Sequence, residues 1–393
     1  MFRGAEWITI PEIISAARAN LPASAWDYSF GGADTETTLR RNRTAFDYIA
    51  LRPRVLRDVR ICDTATSFLG HPLALPVMLA PIGGPQNYHP DGALACARAA
   101  DEVGAMAFIG TLSSPSMEDV RAGSKGPLVF QMYVRGDRAW MESLVRRVEK
   151  AGYSALCLTV DSAAYGRRER DLQKRFFRGE GGGVQPNLVG LTSGDPNGSR
   201  DHQAGLSWDD VAWLRETTSL PLILKGILSP EDAELAVQHG VAAVYISNHG
   251  GRQLDHLPAT LDVLPEIVAA VGSRAEVLID SGFMRGTDVI KAVAMGARAV
   301  LIGKLMAWAL GAGGQAGVAA TLQILKSEML SAMANMGVHS IEELGPQCLR
   351  PTYPPHASPW PVSVDPALPI PMSAAEAPAR NGETSIAADR SPA

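Results

Sequence analysis

Eight short apolar runs punctuate the chain from about position 75. They are Val77-Met78-Leu79, Met106-Ala107-Phe108-Ile109, Leu128-Val129-Phe130, Ala155-Leu156-Cys157-Leu158, Leu222-Ile223-Leu224, Val244-Tyr245-Ile246, Val277-Leu278-Ile279 and Val300-Leu301-Ile302. None alternates with polar residues, the pattern of parallel strands buried on both faces. The segments between them carry apolar residues at helical spacing. Residues 138–152 align Trp140, Leu144, Val145 and Val148 and stop at Gly152. Ser229-Pro230-Glu231-Asp232 supplies an N-cap, a first-turn proline and early acids, and Gly240 closes that helix. Residues 288–296 repeat the pattern. Eight strand–helix units predict an α/β fold, a (β/α)8 TIM barrel, with a doubly wound open sheet as the alternative.

The flanks differ. Residues 1–70 are helix-like and predict an N-terminal cap over one barrel end, within a single domain spanning 1–348. Residues 165–207, after the fourth strand, are the longest stretch without periodicity and hold Gly179 and Gly181-Gly182-Gly183. A loop of that length in a compact domain is expected to be a lid or a disordered segment. Residues 349–393 are rich in proline and then in small polar residues, predicting a disordered tail outside the core.

Composition narrows the function classes. A net charge of -5 and a pI near 5.9 argue against nucleic acid as a partner. No apolar run approaches the roughly 20 residues that span a bilayer, so no membrane partner is expected. Cys62, Cys96, Cys157 and Cys348 lack any C-x-x-C spacing. They read as reduced core residues of a cytoplasmic protein, with no metal site or disulfide framework.

The functional signal is positional, because in parallel barrels catalytic groups gather where strands end. Just past the runs stand Pro81-Ile82-Gly83, Thr111-Leu112-Ser113, Gln131-Met132-Tyr133, Thr159-Val160-Asp161, Lys225, Ser247-Asn248-His249, Asp280-Ser281-Gly282 and Gly303-Lys304. Eight polar or glycine-bearing ends together argue for a lined pocket. Lys225, closing an apolar strand, must find an anion or a polar partner. Ser247-Asn248-His249-Gly250-Gly251-Arg252-Gln253 puts an imidazole and a guanidinium three residues apart on one glycine-bearing turn. Such a pair can hold a carboxylate while the base takes a proton from the neighbouring carbon or its hydroxyl. The glycines after the last two strands, with Arg285 and Lys304, suggest a phosphate site.

These motifs, with Gly166-Arg167-Arg168-Glu169, Leu206-Ser207-Trp208, Leu224-Lys225-Gly226 and Arg285-Gly286-Thr287-Asp288, resemble the FMN-dependent α-hydroxy acid oxidases and dehydrogenases. The similarity runs from about residue 10 to 345. It implies a flavin-bearing barrel that oxidises an (S)-2-hydroxy acid to a 2-oxo acid. By the resemblance, His249 is the base, Asp161 orients it, and Arg168 and Arg252 hold the substrate carboxylate. Tyr28 and Tyr133 bond the substrate, and Lys225 lies at the flavin pyrimidine edge. Pro81, Ile82, Gly83, Ser113, Gln131, Thr159 and Ser247 contact FMN, with Asp280, Ser281, Gly282, Arg285, Gly303 and Lys304 completing its site. Met284 and Lys304 stand where many relatives carry arginines, and Ile82, Gly83-Gly84 and Pro115 also depart from them. Reoxidation by O2, giving H2O2, is the first expectation; a dehydrogenase using a quinone or carrier protein is the second. A flavin-binding barrel without turnover is the non-enzymatic alternative. The family tendency is toward homo-oligomers, tetramers included.

Overall fold

The computed structural model describes residues 6–174, 185–189 and 201–353. Eight strands form the centre: β1 (Val77–Leu79), β2 (Ala107–Gly110), β3 (Leu128–Met132), β4 (Ala155–Thr159), β5 (Leu222–Ile227), β6 (Ala243–Ile246), β7 (Glu276–Ile279) and β8 (Ala299–Ile302). All pair in parallel in chain order, and β8 closes on β1 with Val300 opposite Val77. The eight apolar runs are therefore the eight barrel strands, and the open sheet is excluded. The outer helices carry the ends read from sequence: Asp137 caps Arg138–Ala151 through the Trp140 N–H, and Ser229 caps Pro230–Gln238 through the Asp232 N–H.

Strand side chains alternate between barrel interior and helix layer. Met78, Phe108, Val129, Cys157, Ile223, Tyr245, Leu278 and Leu301 belong to the interior core. Two positions on, the same parity gives Ala80, Gly110, Gln131, Thr159, Lys225, Ser247, Asp280 and Gly303. The interior thus changes from apolar packing to a polar floor within one layer. That change places a site at the C-terminal face.

The first seventy residues divide between the two barrel ends instead of capping one. Helices α1 (Ile10–Asn20), α2 (Ala23–Phe30) and α3 (Thr37–Thr44) come first, and α2 and α3 reach the mouth. Asp255, from the loop after β6, accepts bonds from Thr35 Oγ1 (2.8 Å), Thr37 N (3.1 Å) and Thr38 N (2.7 Å), fixing the start of α3. A hairpin of Thr66–Phe68 and His71–Leu73 closes the opposite end. There the Leu69 N–H donates to Glu276, the first residue of β7, and Phe68 and Leu73 enter the core. Ile49–Leu51 pairs antiparallel with Leu349–Pro351, so paired backbone continues three residues past the expected domain end at 348. Residues 354–393 of the expected tail lie outside the described residues, as do 175–184 and 190–200 of the expected lid.

The expectation drawn from apolar run length is also corrected. Helix Lys304–Met336, with 33 residues and an 18-residue window of mean hydropathy 1.2, is long and apolar enough to cross a membrane by length and composition. Its apolarity serves burial: 78% of that window is inside the fold, and the helix breaks at Gly313 and Gly314.

Candidate active site

The turn after β6 is built from left-handed backbone. His249, Gly250 and Gly251 have φ of 60°, 68° and 71°. For histidine this conformation is uncommon and costs energy, so the surroundings must hold it. Asn248 does so through a reciprocal amide pair with Asn42 of α3 (2.7 and 2.8 Å). The Ser247 hydroxyl accepts the His249 N–H at 3.1 Å.

The imidazole lies between an acid and a phenol. Its Nδ1 is 3.1 and 3.2 Å from the two Asp161 oxygens, and its Nε2 is 3.2 Å from the Tyr133 hydroxyl. A carboxylate on Nδ1 selects the tautomer protonated there, leaving the Nε2 lone pair toward the mouth. Asp161 approaches because residue 226 is glycine at φ 115°, where a Cβ would come within 2.6 Å of the Asp161 Cβ. Burial pulls the His249 pKa below its usual value; Asp161 opposes this, while Lys225 and Arg168 reinforce it. The ring is therefore neutral at neutral pH and able to accept a proton. Burial would raise the Asp161 pKa, but His249 and Lys225 outweigh it and hold the carboxyl at about 2.

Two guanidinium groups flank one tyrosine ring. Arg252 stands 4.6 Å and Arg168 5.7 Å from the Tyr28 ring centroid. Arg168, 5% exposed, donates to the Tyr165 hydroxyl (2.5 Å) and to the Arg252 carbonyl (3.2 Å). Arg252 donates to the Tyr28 and Gly31 carbonyls at the end of α2. Burial, then the neighbouring Arg252, lowers the Arg168 pKa. Two like charges this close form a cationic pole suited to a carboxylate.

Beside it lies the polar floor. Gln131 Nε2 donates to Thr159 Oγ1 at 2.8 Å, and Lys225 Nζ to Ser247 Oγ at 2.8 Å. Ser113 donates to the Gly110 carbonyl at 2.6 Å. At Gly110 a Cβ would stand 3.0 Å from Gln131 Oε1 and 3.5 Å from the Ile82 carbonyl, so glycine keeps this corner clear. Burial lowers the Lys225 pKa, but Asp280 and Asp161 outweigh it, and the ammonium stays charged. Amide and hydroxyl groups around one buried cation, beside the half-buried backbone of Pro81, Ile82 and Gly83, suit the polar edge of a planar heterocycle such as a flavin ring.

At the expected phosphate end both cations have protein partners. Lys304 Nζ donates to the Ser29 (2.9 Å), Phe30 (3.0 Å) and Gly31 (2.7 Å) carbonyls, occupying all three of its donors. Burial, with Arg252 and Arg168 nearby, pulls its pKa well down. Arg285 is paired with Glu328 of the long helix (2.7 Å), and its N–H with Asp288. Both side chains thus meet carbonyls or carboxylates brought in from distant segments. Ser281 (φ 81°) and Gly282 (φ 90°) form the tight turn expected after β7, and Gly303 caps the long helix. The first-turn N–H groups of that helix are the donors an anion would find.

Sequence reasoning missed several members. Gln253 links the lid to the His249 turn, accepting from the Gly166 N–H at 3.0 Å and donating to Ser162 at 2.8 Å. Its place in the motif was the available signal. Asn187 donates to the Gly110, Thr111 and Ser113 carbonyls, and Gln203 to the Thr159 carbonyl, tying described parts of the lid to strand ends. No local pattern marks either.

A closed parallel barrel with a base, an acid and a cationic pole at its C-terminal face, beside a polar floor, defines an enzyme barrel. The chain belongs to the FMN-dependent dehydrogenase family, matching it over residues 17–351. It is 44% identical over 351 residues to an L-lactate oxidase of Nostoc sp., covering 86% of this chain and 96% of that one. It is 41% identical over 354 residues to glycolate oxidase of Spinacia oleracea, covering 86% and 94%. Among solved structures, a mandelate oxidase with benzoyl-formic acid superposes with a TM-score of 0.81 at 40% identity, covering 88% and 98%. A soluble mutant of the membrane-associated (S)-mandelate dehydrogenase from Pseudomonas putida gives 0.83 at 35%, covering 88% and 100%.

Proposed function

We propose that this protein oxidises an (S)-2-hydroxy acid to the 2-oxo acid, with FMN held against the polar floor and returned to its oxidised form by O2. The observation that carries the reading is the Asp161–His249–Tyr133 chain beside the Arg168 and Arg252 pair. Arg168 and Arg252 grip the substrate carboxylate, which fixes the carbon bearing the hydroxyl relative to His249. Tyr28 and Tyr133 bond the substrate's oxygens. His249 Nε2 accepts a proton from the CH–OH group, and Asp161 stabilises the imidazolium that forms. Gln131, Thr159, Ser113, Ser247 and the backbone of Pro81, Ile82 and Gly83 would hold the flavin ring, with Lys225 supplying a charge at its pyrimidine edge. Asp280, Ser281, Gly282 and Gly303 would complete the cofactor site. FMN, when bound, takes up the two electrons released by the alcohol. The relatives named as oxidases support O2 as acceptor and H2O2 as product.

The test is an anaerobic visible titration of the purified protein with glycolate, (S)-lactate and (S)-mandelate, followed by admission of air. Bleaching of the flavin bands by one of these acids and fast recovery in air are expected. His249→Gln should keep the flavin and lose bleaching by orders of magnitude. Near-normal bleaching in that variant would sink the assignment of the base.

A further inference from the structure

β6 carries one polar atom in an otherwise apolar interior layer. Tyr245 is fully buried, with its ring edge-on to Phe108 at 6.0 Å between centroids. An aliphatic side chain would fill a core layer without a hydroxyl, and a buried hydroxyl is costly unless bonded. Here it donates to Asp280 Oδ2 at 2.8 Å. That same oxygen faces Lys225 Nζ at 3.7 Å, and the other Asp280 oxygen accepts from Ser281 at 2.7 Å. The ammonium makes its close bond to Ser247 at 2.8 Å and lies 5.1 Å from the Tyr245 ring centroid. The phenol therefore holds the carboxylate oxygen at the long end of its ion pair with Lys225, from which it would otherwise close further.

We propose that Tyr245 is a positioning residue that sets how much of the Lys225 charge reaches the cofactor. Its hydroxyl answers part of the Asp280 charge and keeps that carboxylate from drawing the ammonium off Ser247. Lys225 then stays on Ser247, at the level of the polar floor. Two features keep the arrangement fixed in the working pH range. Burial and the adjacent Asp280 push the Tyr245 phenol up, so it remains a donor. Asp280 and Asp161 keep Lys225 charged. The ring also lines the underside of Lys225, so replacement by leucine would remove both the bond and the contact with the cation face. The inference rests on the reading that Lys225 stands at the flavin pyrimidine edge.

The test compares Tyr245→Phe with Lys225→Met and the wild-type holoenzyme in two readouts besides turnover. One is the affinity for sulfite, whose adduct leaves the flavin ring anionic and so reports positive charge beside it. The other is the midpoint potential of the bound flavin. Phenylalanine keeps the ring and removes only the hydroxyl, so Asp280 should close on Lys225. Sulfite binding is expected to weaken about tenfold, or about 1.4 kcal/mol, and the potential to fall by about 30 mV for the two-electron couple. Lys225→Met should shift both in the same direction and further. If Lys225→Met shifts them and Tyr245→Phe leaves both at wild-type values, the role of Tyr245 is overturned. If neither variant shifts them, the placement of Lys225 itself fails. A drop in thermal midpoint alone in Tyr245→Phe would mark the hydroxyl as structural and also overturn the proposal.

Discussion

Replacing Asp161 by asparagine removes a carboxylate charge from beside His249 and a smaller part of the field on Lys225. The carboxylate meets Nδ1 through both oxygens, at 3.1 and 3.2 Å, with the two side chains 12% and 17% exposed. An ion pair near 4 Å between charge centres is worth about 4 kcal/mol at an effective dielectric of about 20, and bonds to charged groups are worth about 1.5–3 kcal/mol by mutation. That stabilisation applies only once His249 has taken a proton, so its loss falls on the transition state. Between about 2 and about 4 kcal/mol, flavin reduction should slow by about 30-fold to about a thousandfold. Substrate affinity should change little, since Arg168 and Arg252 are untouched. Asp161 also raises the His249 pKa against burial. Without it the pKa falls further, the base stays neutral to lower pH, and the acid limb of kcat/KM moves down. Anaerobic stopped-flow reduction across pH 4–8 measures both effects. A rate within about threefold of wild type, or an acid limb that moves up, would refute the orienting role.

Three further outcomes follow from the same geometry. Lys304→Met removes three bonds to the end of α2. It should lower the thermal midpoint and raise KM while leaving the preference for FMN over riboflavin, read by fluorescence quenching, nearly unchanged. A collapse of that preference would restore Lys304 as the phosphate ligand. Gly226→Ala forces a Cβ against Asp161 at φ 115°, so it should reproduce the Asp161→Asn defect in flavin reduction with the acid already in the sequence. Asp255→Ala should destabilise the fold by about 2 kcal/mol, the upper range for loss of a helix cap, read by denaturant unfolding. The Asp255 pKa is depressed: burial opposes, but bonds from Thr38, His256 and Thr35 prevail. Its contribution is therefore present above the ordinary carboxylate pKa and lost as pH falls through the folded value.

Much of the site was legible because strand ends carry it. Val129 and Gln131, Ile223 and Lys225, or Leu278 and Asp280 lie two apart, and that period marks where an apolar interior becomes a polar floor. The left-handed turn at His249-Gly250-Gly251 was likewise announced by its glycines. Gly226 was less readable: its need is set by Asp161, 65 positions earlier in the chain.

The amino-acid sequence by itself determined the eight strand–helix units and the ring of polar strand ends, because runs of buried strand and capped helix are local properties; closure into a barrel and not an open sheet was settled by the folded chain. The sequence also determined which residue types stand at the mouth. Only the tertiary structure decided what those residues bond. Lys304 and Arg285 look alike as cations near a glycine turn, yet one is spent on the α2 carbonyls and the other on Glu328. The division of residues 1–70 between both barrel ends, and the hold of Tyr245 on Asp280, were decided in the same way. Hydrogen-bond partners hundreds of residues apart leave no periodic trace, so their choice appears only when the chain has folded.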